Sequence, residues 1–487
     1  MVLCASFTIG TSSKMDISSE KVLPAWKEEL SFSSLVLRKE LSDNLLSLNF
    51  TQMTAIQAQS LPLLLNRADV IAQAQTGSGK TVAFGLGVLN HLKIERVITQ
   101  ALILCPTREL AEQVSQVLRR LARLLPNIKI LNLSGGTPIK PQYDSLRHGA
   151  HIIVGTPGRV QKHLDQKTLS MAHLNTLVLD EADRMLDMGF VDSLKQILSY
   201  CPSKRQTLLF SATFTPLIKQ LAQEFMRHPH EIKAEEQERV QDIEQLFFEV
   251  SSPNDKYSLL KKLLTHYRPA STLIFCNTKE KTQELAAELN HEGFSAAVIN
   301  GDLEQAERDQ AIIQFSNGSR SILVATDVAA RGLDIKELPA VINYELAFEA
   351  EVHIHRIGRT GRAGCKGLAL SITTPKDAGR LCAIEELMAK EMVWGGMDEL
   401  TSSAVSDLLP GMVTLRLMAG RKDKIRPGDI LGALTKDAGL KAEAIGKIDI
   451  LSSHSYVAIA QSHAGKAFEQ FQKGKIKGKK VGVQRLP

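Results

Sequence analysis

Short unbroken runs of Val, Ile, Leu and Ala recur along the first half of the chain, and a polar or glycine-rich cluster follows each one. The runs are DVIA, ALIL, HIIV, TLVL and TLLF, and the clusters after them are QTGSGKT, CPTREL, GTPGR, DEAD and SAT. Helix-length segments with periodic apolar residues lie between them. Continuous apolar strands separated by helices indicate a parallel sheet covered on both faces. Since ligands bind outside the carboxyl ends of such strands, the polar clusters should line one edge.

The same pattern returns in the second half of the chain. The runs STLIF, AAVI and SILVA precede CNTKE, NGDLEQAER and TDVAARGLD, and AVINYE leads toward HRIGRTGRAG. We therefore expect two α/β lobes in tandem, over residues 30–235 and 241–395, with a cleft that both lobes line. Residues 1–29 match neither pattern and are expected to form a disordered N-terminal extension.

The last part of the chain, residues 411–487, has a different order of predicted elements: strand, basic loop, helix, strand, strand, helix and strand. This βαββαβ order predicts a small α+β domain similar to an RNA recognition motif, or RRM. The segment GMDELTSSAVSDLLP, residues 396–410, precedes it and is predicted to be a linker.

Composition is that of a globular protein without membrane spans. The chain has 487 residues, 44% hydrophobic and 23% charged, enough for two or three domains that each bury a core. No uncharged apolar run approaches the roughly 18 to 20 residues that cross a bilayer, and no basic start leads into a long apolar block. The six cysteines form no CxxC pair or Cys/His cluster, which favours reduced thiols over structural zinc or disulfides. We expect a cytoplasmic protein.

Positive charge is concentrated at the C-terminus. Residues 412–487 contain 15 Lys or Arg against 6 Asp or Glu, a net charge of +9, whereas the whole chain carries +6. The preceding residues are therefore slightly acidic as a group. This distribution is typical of a module that holds a polyanion and is attached to a larger body. A solvated Lys-rich tail is the alternative interpretation.

The segment AQTGSGKT lies between a predicted strand and a predicted helix, and it matches a phosphate-binding loop except for alanine at its first position. Its glycines let backbone N–H groups surround phosphates, Lys80 neutralises the β- and γ-phosphates, and the Thr81 hydroxyl holds Mg²⁺. The sequence therefore predicts that ATP and Mg²⁺ bind here. The predicted nucleotide-binding residues of this loop are Ala74, Gln75, Thr76, Gly77, Ser78, Gly79, Lys80 and Thr81.

Carboxylates follow the buried run TLVL directly, at Asp180, Glu181 and Asp183. A metal-bound triphosphate needs such groups at the end of the neighbouring strand. We expect Asp180 to hold Mg²⁺ through its water shell, and Glu181 to orient and deprotonate the attacking water. Acidic residues after a strand are also common helix N-caps. The catalytic interpretation therefore depends on Lys80, which lies 100 residues upstream of Asp180.

These motifs together resemble those of the DEAD-box RNA helicases, and the resemblance covers residues 32–364. It implies two RecA-like parallel-sheet domains, followed here by the RRM-like domain, and an RNA-dependent ATPase that opens RNA duplexes. It also implies that Phe32 stacks on the adenine and that Gln57 hydrogen-bonds to the edge of the base. The residues that it assigns to coupling of hydrolysis and strand separation are Asp183, Ser211 and Thr213.

The resemblance also assigns residues of both lobes to RNA binding. They lie in PTREL, a Gly-Gly pair and TPGR in the first lobe, and in QAER and TDVAARGLD in the second. The implied RNA contacts are Thr107, Arg108, Gly135, Gly136, Thr156, Arg159, Gln305, Arg308 and Thr326, and Asp327 is implied to contact the ribose. Because contacts to the RNA backbone carry no sequence information, the two lobes should not choose among RNAs.

The segment HRIGRTGR indicates that ATP hydrolysis depends on the position of the second lobe. The resemblance implies that His355 belongs to the catalytic site and that Arg359 and Arg362 are arginine fingers. They lie on the second lobe, whereas Lys80 and Glu181 lie on the first, so hydrolysis should require closure of the lobes. An arginine finger contributes roughly 10³ to 10⁵ in rate, so an open cleft should be nearly inactive. Surface salt bridges are the alternative for any one of these arginines.

The C-terminal domain is the predicted source of RNA selectivity. Its third strand, within HSYVAIA, offers Tyr456 as its only aromatic, so stacking of several bases is not expected. The basic positions implied to contact RNA are Arg421, Lys422, Lys424, Arg426, Lys475 and Lys477. Its sequence resembles a bacterial DEAD-box subfamily, which implies a target hairpin in 23S ribosomal RNA and a role in assembly of the large ribosomal subunit. Separately, we expect the protein to act as a monomer.

Three other interpretations remain open. The chain could be a general DEAD-box RNA chaperone without a specific ribosomal target. A DNA helicase would share the tandem lobes and the phosphate loop, and stimulation of ATP turnover by RNA but not DNA distinguishes the two. A nonenzymatic RNA chaperone would use only the basic tail, and its strand separation would survive Glu181→Gln.

Overall fold

The computed structural model describes residues 31–74, 77–233, 243–330, 338–361, 367–401 and 409–486. Three predicted site residues, Gln75, Thr76 and Arg362, lie outside the described residues, as do the whole N-terminal extension and residues 402–408 of the linker. The predicted domain ends near 235 and 241 fall outside them too, so these boundaries stay predictions.

The first lobe is built on a seven-stranded sheet in the order β3-β4-β2-β5-β6-β1-β7, with every pairing parallel. The strands are β1 (Val70–Gln73), β2 (Ala101–Leu104), β3 (Ile130–Leu133), β4 (Ile152–Gly155), β5 (Thr176–Asp180), β6 (Gln206–Ser211) and β7 (His230–Lys233). The helices are α1 (Lys39–Ser47), α2 (Ala55–Leu65), α3 (Lys80–His91), α4 (Arg108–Leu121), α5 (Lys140–Arg147), α6 (Pro157–Asp165), α7 (Ala182–Asp187), α8 (Val191–Ser199) and α9 (Pro216–Phe225).

Helices bury both faces of this sheet, which is why its central strands read as unbroken apolar runs. All four residues of β2 and of β4 are buried. One face packs into a core that contains Phe84 and Phe210, and the other packs into a core around α7 to α9. Helix α4 shows the pattern that produces this packing, because Leu110, Val114 and Leu118 repeat along one face while Arg and Gln occupy the other.

The second lobe has a six-stranded sheet in the order β10-β11-β9-β12-β13-β8, again with every pairing parallel. The strands are β8 (Ile243–Glu249), β9 (Thr272–Phe275), β10 (Ala296–Ile299), β11 (Ile322–Ala325), β12 (Ala340–Asn343) and β13 (Gly367–Thr373). The helices are α10 (Lys256–Tyr267), α11 (Lys279–His291), α12 (Gln305–Ser316), α13 (Asp327–Ala330), α14 (Ala350–Ile357) and α15 (Ala378–Met388). The described start of the predicted linker packs on this lobe, where Leu400 contacts the core.

The C-terminal module, residues 409–486, is a four-stranded antiparallel sheet in the order β15-β16-β14-β17. Its elements are β14 (Met412–Leu417), α16 (Pro427–Gly432), β15 (Ile445–Ile450), β16 (Ser455–Ala460), α17 (Ala464–Lys473) and β17 (Val483–Arg485). The predicted βαββαβ order is confirmed, and so is the fold class of two parallel-sheet lobes followed by a small α+β domain. The last strand is shorter than the predicted KKVGVQRL. In the described parts of the chain, no helix is both long and apolar enough to span a bilayer.

Candidate active site and nucleic-acid interface

The phosphate loop connects β1 to α3 in the first lobe. Gly77 and Gly79 have positive φ angles of 95° and 97°, which favour glycine. A side chain at Gly79 would collide with the Gln57 amide. The Lys80 Nζ donates to the Ala74 carbonyl at 2.8 Å, and the whole Lys80 side chain is buried. The loop is therefore folded over the amino end of α3, where backbone N–H groups and a cation can meet phosphates.

Gln57 is bound to this loop and to its own helix. Its Nε2 donates to the Gly79 carbonyl at 3.1 Å, and its Oε1 accepts the Thr54 N–H at 2.9 Å. The Thr54 hydroxyl donates to the Ser78 carbonyl at 2.7 Å. Phe32 lies in the lobe core with its ring edge-on to Phe50. The structure thus brings Gln57 next to the phosphate loop, and its contact with adenine stays a prediction.

Asp180 and Glu181 stand at the carboxyl end of β5, next to the phosphate loop. The Asp180 Oδ1 is buried and has no hydrogen-bond partner among the described residues. Burial raises the pKa of Asp180 to about 7, and the nearby charge of Lys80 partly opposes this rise in its pKa. A carboxylate oxygen without a partner beside a phosphate-binding loop fits a hard divalent ion, which prefers oxygen ligands.

Glu181 has a backbone conformation that few non-glycine residues adopt, with φ 54° and ψ 53°. It is the N-cap residue of α7, yet its side chain makes no capping hydrogen bond. Its carboxylate instead pairs with Arg184 at 2.6 Å, and both side chains are buried. Glu181 therefore occupies the N-cap position without capping α7 through its side chain, and its carboxylate is directed to Arg184 instead.

Asp183 joins the DEAD segment to the SAT segment. Its Oδ2 accepts the N–H groups of Ala212 and Thr213, at 3.0 and 3.2 Å, and the Thr213 hydroxyl at 3.3 Å. Ser211 donates its hydroxyl to the Thr213 carbonyl at 2.8 Å. These hydrogen bonds connect the start of α7 to the chain that follows β6.

The second lobe contributes a wall that faces Arg184 of the first. Arg184, Asp327, His355, Arg356 and Arg359 line one small cavity. This arrangement places the predicted catalytic residues His355 and Arg359 opposite the DEAD segment. Asp327 lies in the same wall, but Arg356 binds both of its carboxylate oxygens, at 2.6 and 2.8 Å. If Asp327 contacts the ribose as predicted, its carboxylate would have to bind the ribose and Arg356 at the same time.

Arg356 is a functional residue that the sequence analysis missed. It is fully buried, and besides Asp327 its guanidinium donates to the Glu345 carbonyl at 2.6 Å and to Asn277 Oδ1 at 2.8 Å. Its role is therefore to fix the loop that carries Arg359. Its only signal in the sequence is its place inside HRIGRTGR.

A larger cleft of about 460 Å³ runs between the two lobes. Of the nine predicted RNA contacts in the lobes, seven line it: Thr107, Arg108, Gly135, Thr156, Arg159, Gln305 and Arg308. Gly136 touches the Arg108 guanidinium, and Thr326 follows β11. Among the described residues, the charged part of this lining is three arginines and one glutamate, Glu109. The cleft therefore has the charge that a phosphate backbone requires.

Three polar contacts join the lobes inside this cleft, and the longest runs from Gln305 Nε2 to Glu109 Oε1 at 3.4 Å. The Arg108 guanidinium donates to Gln305 Oε1 at 2.7 Å, and the Arg308 Nε–H donates to Glu109 Oε1 at 2.6 Å. Glu109 was missed by the sequence analysis, although it is the acidic residue of PTREL. The structure thus shows the lobes in contact through residues of the cleft itself.

The predicted basic residues of the C-terminal module lie on two neighbouring loops. Each loop is anchored by one buried isoleucine, Ile425 or Ile476, and leaves its cationic side chains exposed. Lys477 of the second loop donates to the Lys424 carbonyl of the first at 3.1 Å and lies 3.5 Å from the Asp429 carboxylate. The structure therefore combines the two segments into one basic surface, which we call the basic loop pair (residues 421–426 and 473–480).

Tyr456 is not available to stack on a base in this arrangement. Its ring is buried against Ile313 of α12 and Leu486. On the same face of the module, Thr414 hydrogen-bonds to Asn317 and Ser319, at 2.9 and 2.6 Å, and Lys447 donates to the Ser316 hydroxyl at 3.1 Å. The sheet face that RRM domains use for RNA is thus occupied by the second lobe.

Three family models match the chain. A DEAD/DEAH box helicase model matches residues 54–221, a helicase conserved C-terminal domain model matches residues 255–364, and a DbpA RNA binding domain model matches residues 414–485.

Curated relatives and solved structures are similar over most of the chain. It is 50% identical to ATP-dependent RNA helicase DbpA of Escherichia coli (strain K12), over 93% of this chain and 99% of the relative. It is 42% identical to DEAD-box ATP-dependent RNA helicase CshA of Geobacillus kaustophilus (strain HTA426), over 74% of this chain and 77% of that one. Saccharomyces cerevisiae Dbp5 bound to RNA and ADP BeF3 is similar in structure, with a TM-score of 0.69, 34% identity, and coverage of 75% of this chain and 95% of that one.

Proposed function

Because this chain belongs to the DEAD-box ATP-dependent RNA helicases and carries a DbpA-type RNA-binding domain, we propose that it remodels RNA around a hairpin of 23S ribosomal RNA during assembly of the large ribosomal subunit. The observation that carries this proposal is that the chain has two separate basic surfaces. Arginines of two lobes meet in one cleft, and a separate basic loop pair stands on a module docked to the second lobe.

In the chemical step, Glu181 accepts a proton from the water whose oxygen forms the new bond to the γ-phosphorus, and the bond to ADP breaks. The Arg184 pair holds one Glu181 oxygen at 2.6 Å and so fixes the direction of the carboxylate. Lys80 would bind the phosphates. Arg359, with His355 in the same small cavity, and Arg362 would stabilise charge from the second lobe.

Asp180 and Thr81 are the residues that would hold Mg²⁺. The buried, unpartnered Asp180 Oδ1 supports this assignment, because burial of a carboxylate without a partner costs free energy that a cation offsets. Bound Mg²⁺ would neutralise negative charge on the phosphates. Phe32 and Gln57 would select adenine, since Gln57 is already fixed beside the loop by Gly79.

Binding of ATP and RNA would be coupled through closure of the lobes. Arg108 and Arg159 of the first lobe and Arg308 of the second would bind the RNA backbone together, with Gln305, Thr107, Thr156, Gly135, Gly136 and Thr326. Since each ligand completes its contacts only when both lobes meet, each should raise the affinity for the other by the same factor. Asp183, Ser211 and Thr213 would carry the motion of the nucleotide site into strand separation.

Selectivity would come from the basic loop pair, through Arg421, Lys422, Lys424, Arg426, Lys475 and Lys477. Exposed cations on loops recognise phosphates and RNA shape, and Tyr456 is engaged elsewhere. We infer that the protein acts as a cytoplasmic monomer, because one chain supplies both walls of the cleft.

The test is the ATPase rate of the full chain with a panel of 23S ribosomal RNA fragments of equal length. A fragment that carries the target hairpin should stimulate turnover at least tenfold more efficiently, as kcat divided by the RNA concentration for half stimulation, than the same sequence scrambled. Equal stimulation by all RNAs would favour the general RNA chaperone instead, and equal stimulation by DNA would contradict both.

A further inference from the structure

A cavity of about 290 Å³ lies where the C-terminal module meets the second lobe, and we call it the joint cavity. Its walls come from both bodies. The second lobe supplies Asn290, Ser295 and Arg320, and the module supplies Gln461 and Arg485, together with apolar neighbours. This cavity shares none of its lining residues with the RNA cleft or with the wall around Arg359.

The joint cavity carries positive charge without a matching carboxylate. Of the residues that the structure describes, two arginines line it and no aspartate or glutamate does. The Arg320 Nη1 donates to Asn290 Oδ1 at 3.2 Å, while its Nε is buried and has no partner in the described part of the chain. Burial also lowers the pKa of the Arg320 guanidinium. A half-buried cation that meets only neutral groups is costly unless an anion completes the site.

The joint cavity lies at the amino ends of β10 and β11 in the second sheet, whereas the RNA cleft lies at the carboxyl end of β10. Ser295 directly precedes β10 and Arg320 lies two residues before β11, whereas Asn300, which directly follows β10, lines the cleft. The four residues of β10 separate these ends by roughly 13 Å at about 3.3 Å per residue. An RNA backbone bound in the cleft therefore does not fill the joint cavity.

We propose that the joint cavity is an anion site that binds a phosphoryl group, held by the guanidinium groups of Arg320 and Arg485, and that it is distinct from the nucleotide site and the RNA cleft. Arginine suits this role because its planar fork donates two parallel hydrogen bonds to phosphate oxygens. The Gln461 amide and the Ser295 hydroxyl offer further donors. The phosphoryl group belongs either to a small phosphorylated ligand or to a distant phosphodiester of a long RNA.

Binding at this place is linked to docking of the module. Because the second lobe and the module each supply one arginine, the anion makes its full set of contacts only in the docked arrangement. It therefore favours that arrangement by as much as its affinities for the docked and undocked forms differ. The position of the basic loop pair relative to the cleft would then depend on the anion.

The test is isothermal titration calorimetry of the full-length protein with inorganic phosphate, after a non-hydrolysable ATP analogue has saturated the nucleotide site. Saturable binding to the wild type is expected, with at least tenfold weaker binding to Arg320→Gln and to Arg485→Gln. Lys262→Gln, which removes an exposed cation from the same lobe, should bind within twofold of the wild type. Arg485 is exposed, so its variant keeps the test valid if Arg320→Gln fails to fold.

Further experiments distinguish the two possible sources of the phosphoryl group. They also test whether a carboxylate of this chain, Asp407, occupies the site in place of an external anion. The same variants are titrated with a long hairpin RNA: an unchanged affinity identifies a small phosphorylated ligand, and a parallel loss identifies an RNA phosphodiester. Asp407 lies outside the described residues, so Asp407→Asn is included and should bind phosphate as the wild type does. The proposal is overturned if the wild type shows no saturable binding, if both arginine variants bind as tightly as it does, or if binding emerges only in Asp407→Asn.

Discussion

Glu109 of the first lobe and Arg308 of the second form an ion pair inside the RNA cleft, with the Arg308 Nε 2.6 Å from the Glu109 Oε1 and side chains only 13% and 14% exposed. The second Arg308 contact, from Nη2 to the Ala329 carbonyl at 2.8 Å, fixes the guanidinium against its own lobe. A carboxylate in this cleft repels the phosphates of RNA. Its presence is explained if it stabilises the closed arrangement of the lobes. This pair therefore indicates that the lobes use part of the cleft to hold each other.

Glu109→Gln should weaken closure of the lobes. Loss of this charge-assisted hydrogen bond is expected to cost about 1 to 3 kcal/mol in the closed state, and it should raise the RNA concentration for half-maximal ATPase stimulation by roughly tenfold, with a smaller change in kcat at saturating RNA. The measurement is ATP turnover against RNA concentration. Glu112→Gln is the matched control, because Glu112 lies on the same helix and pairs with Arg119 in an exposed position. If Glu109→Gln instead needs less RNA for half-maximal ATPase stimulation, the main effect of the carboxylate is to repel phosphate.

Glu181→Gln should stop hydrolysis while it leaves ligand binding intact. The amide cannot accept the proton of the attacking water, so turnover at saturating ATP and RNA should fall by roughly 10² to 10⁴. Affinity for ATP and for RNA, measured by fluorescence anisotropy, should stay within threefold of the wild type. Asp192→Asn changes an exposed carboxylate of the same lobe and serves as the control. Normal turnover in Glu181→Gln would refute the assignment of Glu181 as the base.

Asp183→Asn should uncouple hydrolysis from strand separation. The Asp183 carboxylate accepts three donors from Ala212 and Thr213, and an amide would turn either one acceptor or a repelling N–H toward them. We expect the number of duplexes opened per ATP hydrolysed to fall at least tenfold, with ATPase activity reduced less. Duplex opening and phosphate release are measured in the same samples. Thr213→Ser keeps the hydroxyl that contacts Asp183 and should remain coupled, and equal losses of both activities in Asp183→Asn would contradict the prediction.

The central strands of both lobes could be predicted from the sequence because burial on both faces leaves an apolar run. The edge strand β7 could not, since only one of its four residues, Ile232, is buried and its sequence HEIK has no apolar run. Edge strand β8 alternates between buried and exposed residues along most of IEQLFFE, so no long apolar run marks it in the sequence. The interior strand β13, GLALSIT, is a buried run that was also missed, because it follows the segment assigned to HRIGRTGRAG.

The candidate site was predictable where one short segment carries the chemistry, as at Lys80, Asp180 and Glu181. Contacts between distant segments were not. Neither PTREL nor QAER reveals that Glu109 binds Arg308, because that pair depends on how two separately folded lobes meet. Tyr456 was identified only as the single aromatic residue of its strand. Its burial depends on Ile313, a residue of the second lobe whose sequence gives no sign of a partner.

Charge reversal in the basic loop pair should reduce selectivity for the ribosomal hairpin without loss of catalysis. The double variant Arg426→Glu with Lys477→Glu should lower affinity for the hairpin at least tenfold and flatten its dependence on salt, since fewer counterions are released. Its kcat with saturating unstructured RNA should stay within twofold. Lys441→Glu changes an exposed lysine of the same module outside the pair and serves as the control. Unchanged hairpin affinity in the double variant would show that another surface recognises the hairpin.

His353 is expected to make the second lobe sensitive to acid. Its ring is fully buried and stacks on Phe247, with centroids 5.9 Å apart, and neither ring nitrogen has a partner among the described residues. Burial, with a smaller effect of Arg356, lowers the pKa of His353 to about 4, below the value of about 6.5 in the unfolded chain. The unfolded state therefore takes up the proton first, and stability is lost as the pH falls from about 6.5 toward 4.

His353→Phe should remove this loss and keep the stacking on Phe247. At pH 7.5 the variant should be as stable as the wild type or more stable, because it buries no unpartnered nitrogen. At pH 5 its advantage should grow by about 2 kcal/mol, since a separation of about 1.5 pH units from the unfolded pKa corresponds to that free energy. The measurement is the difference in Tm between variant and wild type at both pH values, with His173→Phe as the exposed control. A difference that stays constant between pH 7.5 and pH 5 would show that His353 is protonated equally in both states, and hence that its buried nitrogens find a partner on folding.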